Sequence, residues 1–187
     1  MTKRKSITSL AIAVSLLAIV SCSNASKPSA NQDHSQHTDA MMEADEMEMQ
    51  AIQLSKEQVQ KVLSDYLELK NALVQTDGES ASLAAKKLLE GLGDNQDKLI
   101  IAIRMDAEHI TGTQAASHQR DHFNTLSDNV YTLVKSTSAN ENTIYRQFCP
   151  MALDNKGAYW LSAEEEINNP YFGDKMLKCG AVKEQIL

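Results

Sequence analysis

Apolar side chains recur at helical spacing through the middle of the chain and predict four helices. Ser55 and Gln58 form a capping-box pattern at the start of the first helix, which we expect to run to about Gln75, just before Asp77-Gly78. The other three are predicted over about residues 80–92, 96–110 and 113–136. Short connections between the four helices favour an up-and-down bundle. The positions expected to form the core include Val59, Val62, Leu63, Tyr66, Leu69, Leu73, Leu99, Ile100, Ile103, Met105, Phe123, Leu126, Val130, Leu133 and Val134.

The pattern changes after Asn142. Residues 143–148 are rich in β-branched and aromatic side chains, residues 155–157 are typical of a turn, and residues 158–161 can pair back as a second strand. The predicted fold class is therefore mainly α, an up-and-down helical bundle of about four helices with a small C-terminal β-hairpin and an irregular segment. We assign this domain to residues 54–187. Only 7 glycines and 3 prolines in 187 residues also favour helices over a many-stranded sheet.

The N-terminus has the pattern of a bacterial lipoprotein signal peptide. Lys3, Arg4 and Lys5 precede an apolar run over residues 7–20, and Cys22 follows small residues at the acceptor position. We therefore predict a signal peptide over residues 1–21 and lipidation at Cys22. The alternative is an ordinary secretory signal with a chance cysteine. Either interpretation places the mature protein outside the cytoplasm, and the first predicts lipid anchoring in the periplasm or at the outer membrane.

Residues 22–53 lack apolar periodicity and are predicted to form a disordered tether. His34 and His37 precede a group of methionines among carboxylates, which lie at Met41, Met42, Met47 and Met49. Imidazole and thioether groups suit copper or silver, so the tether can collect such an ion weakly. The alternative is a solvated acidic linker without a ligand role.

The negative charge of the chain excludes strongly anionic partners. The formal net charge is −7, and the predicted signal peptide carries basic residues but no acids, so the mature protein is more acidic still. A protein of this charge does not bind nucleic acid or anionic lipid through bulk electrostatics. The membrane is therefore expected as a partner only through the lipid on Cys22.

Two sulfur pairs near the C-terminus are the main candidate chemistry. One is Cys149-Pro150-Met151 and the other is Met176-Leu177-Lys178-Cys179. In extended backbone Cys149 and Met151 point the same way, and Met176 and Cys179 share a face if a helical turn forms. Two thiolates with two thioethers predict a Cu(I) or Ag(I) site. The alternative is a Cys149–Cys179 disulfide, which suits a small secreted domain. The sequence leaves both open.

Histidines on the helices form a second candidate metal site. His118 and His122 are four residues apart on the fourth predicted helix and therefore neighbours on one face. His109 on the third helix can join them if the two helices pack side by side. The alternative is a set of surface histidines that flank the apolar stripe.

Several motifs together resemble a known family. They are Tyr145-Arg146-Gln147-Phe148-Cys149-Pro150-Met151-Ala152, Tyr159-Trp160-Leu161-Ser162, Asn169-Pro170-Tyr171-Phe172-Gly173, Met176-Leu177-Lys178-Cys179-Gly180, and Gln119-Arg120 with Phe123 and Leu126-Ser127. They are similar to domain-of-unknown-function family 3347, an uncharacterised bacterial family of extracytoplasmic domains. Members also occur fused to the adaptor subunits of copper and silver efflux pumps. The resemblance covers about residues 54–182 and implies heavy-metal handling at the cell envelope, with metal-efflux components as partners.

Catalytic motifs are missing from the sequence. It has no Gly-rich phosphate loop, no nucleophile elbow, no zinc-protease helix motif and no Cys-x-x-Cys redox motif. We therefore expect a non-enzymatic lipoprotein that binds Cu(I) or Ag(I) in copper homeostasis or efflux. The alternative function is a structural or interaction lipoprotein whose domain is held by a Cys149–Cys179 disulfide.

Overall fold

Four long helices make up most of the structure, a computed structural model that describes residues 53–187. Each helix packs against the next, and the fourth returns to contact the first. This arrangement confirms the predicted helical bundle. No helix in the described part of the chain is long and apolar enough to cross a membrane. The four helices are α1 (Lys56–Val74), α2 (Gly78–Leu92), α3 (Lys98–Thr111) and α4 (Ala116–Thr137).

Polar side chains cap the first three helices. The Ser55 side chain accepts a hydrogen bond from the Gln58 backbone N–H at 3.2 Å, and the Gln58 side chain accepts one from Ser55 N–H at 2.9 Å. This is the predicted capping box. Asp77 caps α2 and Asp97 caps α3 in the same manner, through their carboxylates. Caps satisfy backbone donors that the first turn leaves free, so they fix where each helix begins.

One apolar core fills the space between the helices. Tyr66 of α1 stacks on Phe123 of α4 with ring centroids 5.3 Å apart. The predicted core positions are largely confirmed, but Met105 is an exception because it is 57% exposed. The helical core residues that are fully or almost fully buried include Val59, Val62, Tyr66, Leu69, Leu73, Leu88, Leu92, Ile100, Ile103, Ile110, Phe123, Leu126, Val130, Leu133 and Val134.

A three-stranded antiparallel sheet follows the helices. It has the order β2-β1-β3, and Gln147 of β1 pairs with Trp160 of β2 on one side and Val182 of β3 on the other. The β1–β2 hairpin was predicted, whereas the third strand was not. The elements are β1 (Ile144–Cys149), a single turn α5 (Ala152–Asn155), β2 (Ala158–Ser162), a 3-10 turn (Gly173–Lys175) and β3 (Ala181–Ile186).

Two side chains join this C-terminal region to the bundle. The buried hydroxyl of Tyr66 accepts a hydrogen bond from the backbone N–H of Leu161 in β2 at 3.0 Å. Arg120 of α4 donates hydrogen bonds to the carbonyl oxygens of Pro170 at 2.6 Å and Leu73 at 2.9 Å. The sheet, the loop that follows it and the helices therefore share direct polar contacts.

Candidate metal centre

The helical hairpin of α3 and α4 positions three histidines. His109 lies in the last turn of α3, and His118 and His122 lie in the first two turns of α4. Only the short segment 112–115 separates the two helices, so the end of α3 meets the start of α4. Helices α3 and α4 pack side by side, as the prediction for His109 required.

The side-chain amide of Gln119 fixes this end of the hairpin. Its nitrogen lies within hydrogen-bonding distance of the carbonyl oxygens of Gly78 at 2.9 Å, Ile110 at 3.3 Å and Thr113 at 2.7 Å. Gln119 is fully buried, so these contacts are shielded from water and hold α2, α3 and α4 in register. Gly78 also packs directly on the Gln114 backbone, where a Cβ atom would collide.

The three imidazoles form one cluster. Each can offer a ring nitrogen, and the three ligand atoms all lie within 4.8 Å of one another. The rings of His109 and His122 stack in parallel, with centroids 4.3 Å apart and an interplanar angle of 4°. His118 meets His122 edge-on at 4.9 Å. His109 and His118 are exposed and His122 is half-buried, so all three are reached from solvent.

The spacing of these nitrogens is close to that of a metal site. Imidazole nitrogens bind zinc at about 2.0–2.1 Å, which places two ligands of one tetrahedral ion roughly 3.3 Å apart. The ligand atoms here lie within 4.8 Å of one another, so the three side chains must move closer together to hold one ion. Three histidines would leave a fourth position for another ligand or for water.

Acidic and sulfur side chains surround the cluster. Asp106 Oδ1 lies 3.6 Å from Nδ1 of His122, and the Asp106 side chain is 16% exposed. Met105 and Glu108 line a cavity of about 390 Å³ together with His109 and His118. None of these three neighbours was predicted as part of the site. Helical spacing could have found Met105 and Asp106, because these positions lie four and three residues, about one turn, before His109 on α3.

The predicted four-sulfur site is not formed in the structure. Cys149 and Cys179 are joined in a disulfide with a Cα–Cα distance of 5.7 Å, so neither sulfur is a free thiolate. The structure therefore contains the Cys149–Cys179 disulfide, which was the alternative prediction to a metal site. Cys149 is fully buried, and the bond ties the end of β1 to the segment that leads into β3.

The two methionines do not complete a ligand set around these sulfurs. Met151 is 47% exposed and adopts helical backbone at the start of α5, whereas the prediction required extended backbone. Met176 is half-buried and ends the 3-10 turn, and its carbonyl accepts a hydrogen bond from Cys179 N–H at 3.0 Å. The extended backbone expected at Met151 is thus not observed.

Three other predicted residues cannot be placed. Cys22, His34 and His37 lie outside the described residues 53–187. Lipidation and weak metal binding by the tether stay predictions.

Comparison with known proteins identifies one family. Residues 62–142 match the model of a family described as a protein of unknown function (DUF3347). The match extends from within α1 to the segment after α4, so it contains all three clustered histidines and ends before the disulfide. The match is consistent with the predicted family over these residues. No significant match exists among curated proteins or among solved structures.

Proposed function

We propose that this chain, which matches the DUF3347 family model over residues 62–142, is a cell-envelope lipoprotein that binds a transition-metal ion through His109, His118 and His122. The observation that carries the proposal is the convergence of three imidazoles from two helices, with all ligand atoms within 4.8 Å. Surface histidines that only flank an apolar stripe have no reason to converge in this way.

The type of ligand limits which metal ions the site can bind. Imidazole suits zinc, copper, nickel and iron, whereas magnesium and calcium prefer oxygen ligands. The copper predicted from the sequence stays within this set, but it would bind through histidines rather than thiolates. Because the rings are accessible from solvent, the ion can enter and leave without unfolding. Such access suits a protein that takes up or transfers metal, and metal-efflux components are the proposed partners.

The disulfide supports a location outside the cytoplasm. Disulfides persist in oxidising compartments such as the periplasm and are rare in the cytosol. The Cys149–Cys179 bond therefore agrees with the export signal predicted over residues 1–21. Together they favour a lipid-anchored protein of the periplasm or outer membrane.

Binding of ions to purified protein tests the proposal. Wild-type protein should take up one equivalent of Zn(II) or Cu(I) with high affinity and should gain thermal stability, because an ion held only by the folded state stabilises that state. The variant H109A/H118A/H122A should lose this binding and keep its fold, since the histidines lie at or near the surface.

The tether supplies a matched control. The variant H34A/H37A removes two histidines from the predicted tether and should keep the high-affinity equivalent. Competition with a chromophoric chelator measures the affinities, and circular dichroism checks the fold. Retention of full affinity in the triple variant would contradict the proposal.

A second candidate function follows from the disulfide. A structural or interaction lipoprotein needs no ion, and a buried disulfide that joins β1 to the segment before β3 serves it directly. The same titration separates the two functions. Absence of binding in both wild type and triple variant would leave the structural role.

A further inference from the structure

We propose that Met105 supplies a thioether as the fourth ligand of the histidine site, and that this sulfur makes the site selective for Cu(I) or Ag(I) over Zn(II). The inference rests on the proposed function, because it needs the three histidines to bind an ion. A Met105 ligand would specify which class of metal the site prefers, and the imidazoles alone leave that preference open.

The position of Met105 on α3 favours this role. Met105 and His109 are four residues apart on one helix and therefore neighbours on the same face. Met105 also lines the cavity of about 390 Å³ that His109 and His118 line. A long unbranched side chain with rotatable bonds can bring its sulfur toward an ion held by these histidines.

Packing gives no reason for a methionine at this position. The buried face of α3 consists of Ile100, Ile103, Ala107 and Ile110, and Met105 lies off that face. Its side chain is 57% exposed, one of only four large hydrophobic side chains that are exposed within residues 53–187. Of those four, Met105 is the one that lines the cavity beside the histidines.

The alternative fourth ligand is Glu108. Its exposed side chain lines the same cavity, and a carboxylate is an oxygen ligand that zinc accepts readily. A thioether is a soft ligand that suits Cu(I), whereas zinc is bound by thiolate, imidazole and carboxylate ligands. The two side chains therefore predict opposite metal preferences, so substituting each in turn shows which one completes the site.

Two reciprocal variants test the inference on the full chain. We expect M105L to lower Cu(I) affinity by about tenfold or more and to leave Zn(II) affinity unchanged. We expect E108Q to leave Cu(I) affinity unchanged. The variant M151L is the matched control, because Met151 is also an exposed methionine, 47% exposed, but does not line this cavity. Ascorbate should be used to maintain Cu(I), since thiol reductants would attack the disulfide.

X-ray absorption at the copper edge gives an independent readout. Wild-type protein loaded with one equivalent of Cu(I) should show a sulfur neighbour at the ion in addition to nitrogen, and M105L should show nitrogen without that sulfur. Unchanged Cu(I) affinity in M105L, or an equal loss for Cu(I) and Zn(II), would overturn the inference. Those outcomes differ from failure of the proposed function, in which wild-type protein binds neither ion or the triple histidine variant still binds.

Discussion

Asp106 Oδ1 lies 3.6 Å from Nδ1 of His122, across the interface between α3 and α4. This distance is within the range of an ion pair and slightly longer than a hydrogen bond. A carboxylate beside one ring nitrogen favours the tautomer in which that nitrogen carries the proton, and the other nitrogen is then free for an ion. Asp106 is therefore placed to orient His122 without itself being a ligand of the proposed site.

Substitution of Asp106 should weaken metal binding and leave the fold intact. Loss of a carboxylate that orients a ligating histidine typically lowers metal affinity by about 10–100-fold, and we expect D106A to fall in this range. Chelator competition measures the change. D121A is the matched control, because Asp121 is an exposed acid of α4 next to His122 in sequence. Equal losses in D106A and D121A would indicate a general effect of charge.

Removal of the disulfide should destabilise the domain. Cys149 and Cys179 are separated by 30 residues, and loop-closure entropy predicts a cost of roughly 3–4 kcal/mol for a loop of about this length. The variant C149S/C179S should lose about this free energy of unfolding in chemical denaturation. Thiol counting on freshly isolated protein should find neither cysteine free. Two free thiols in the folded protein would refute the bond and revive the four-sulfur site.

The buried hydroxyl of Tyr66 should contribute measurably to stability. It lies 2.8 Å from Ser127 Oγ and accepts a hydrogen bond from Leu161 N–H. The variant Y66F leaves the Leu161 N–H without an acceptor in the interior, at a cost of about 1–3 kcal/mol. S127A keeps the contact with Leu161, so its unfolding free energy should fall less. An equal loss in both variants would show that the backbone contact contributes little.

Burial of Tyr66 also predicts a pH dependence. Desolvation raises the pKa of its phenol above the ordinary value of 10.0, so the unfolded chain releases this proton at lower pH than the folded protein does. The free energy of unfolding should therefore be independent of this group below about pH 10 and fall as the pH rises further. Burial raises the pKa of Tyr171 as well. Denaturation of wild type and Y66F across this range should show a shallower decline in the variant.

Cys22 should determine membrane attachment. If it is lipidated, wild-type protein should partition into the detergent phase, and C22A should be recovered in the aqueous phase. Recovery of unmodified wild-type protein in the aqueous phase would contradict the predicted anchor.

The helices were predictable because the sequence features that define them, caps and apolar spacing, lie within each helix. Ser55 and Gln58 set the start of α1, and the apolar stripe of α4 follows helical spacing. The third strand was missed because Ala181–Ile186 is an edge strand in which only Ile186 is buried. Such a segment carries little apolar alternation, and only its pairing with β1 defines it.

The site was harder to predict because it depends on packing. His118 and His122 share a face by spacing alone, but His109 joins them only through the contact of α3 with α4. The sulfur pairs were prominent in the sequence, yet their chemistry depends on whether Cys149 and Cys179 come close enough to bond. Met105 was expected in the core because it is apolar, although its spacing of four residues from His109 already placed the two side chains on one face of α3.

The clustered histidines all lie between positions 109 and 122, within one helical hairpin, whereas the disulfide links two later segments of the chain. No ligand of the proposed site is therefore created or consumed when the cysteines oxidise. The two maturation steps, closure of the disulfide and loading of the ion, can occur in either order. A folded molecule whose two cysteines are still reduced would already possess the complete set of imidazoles.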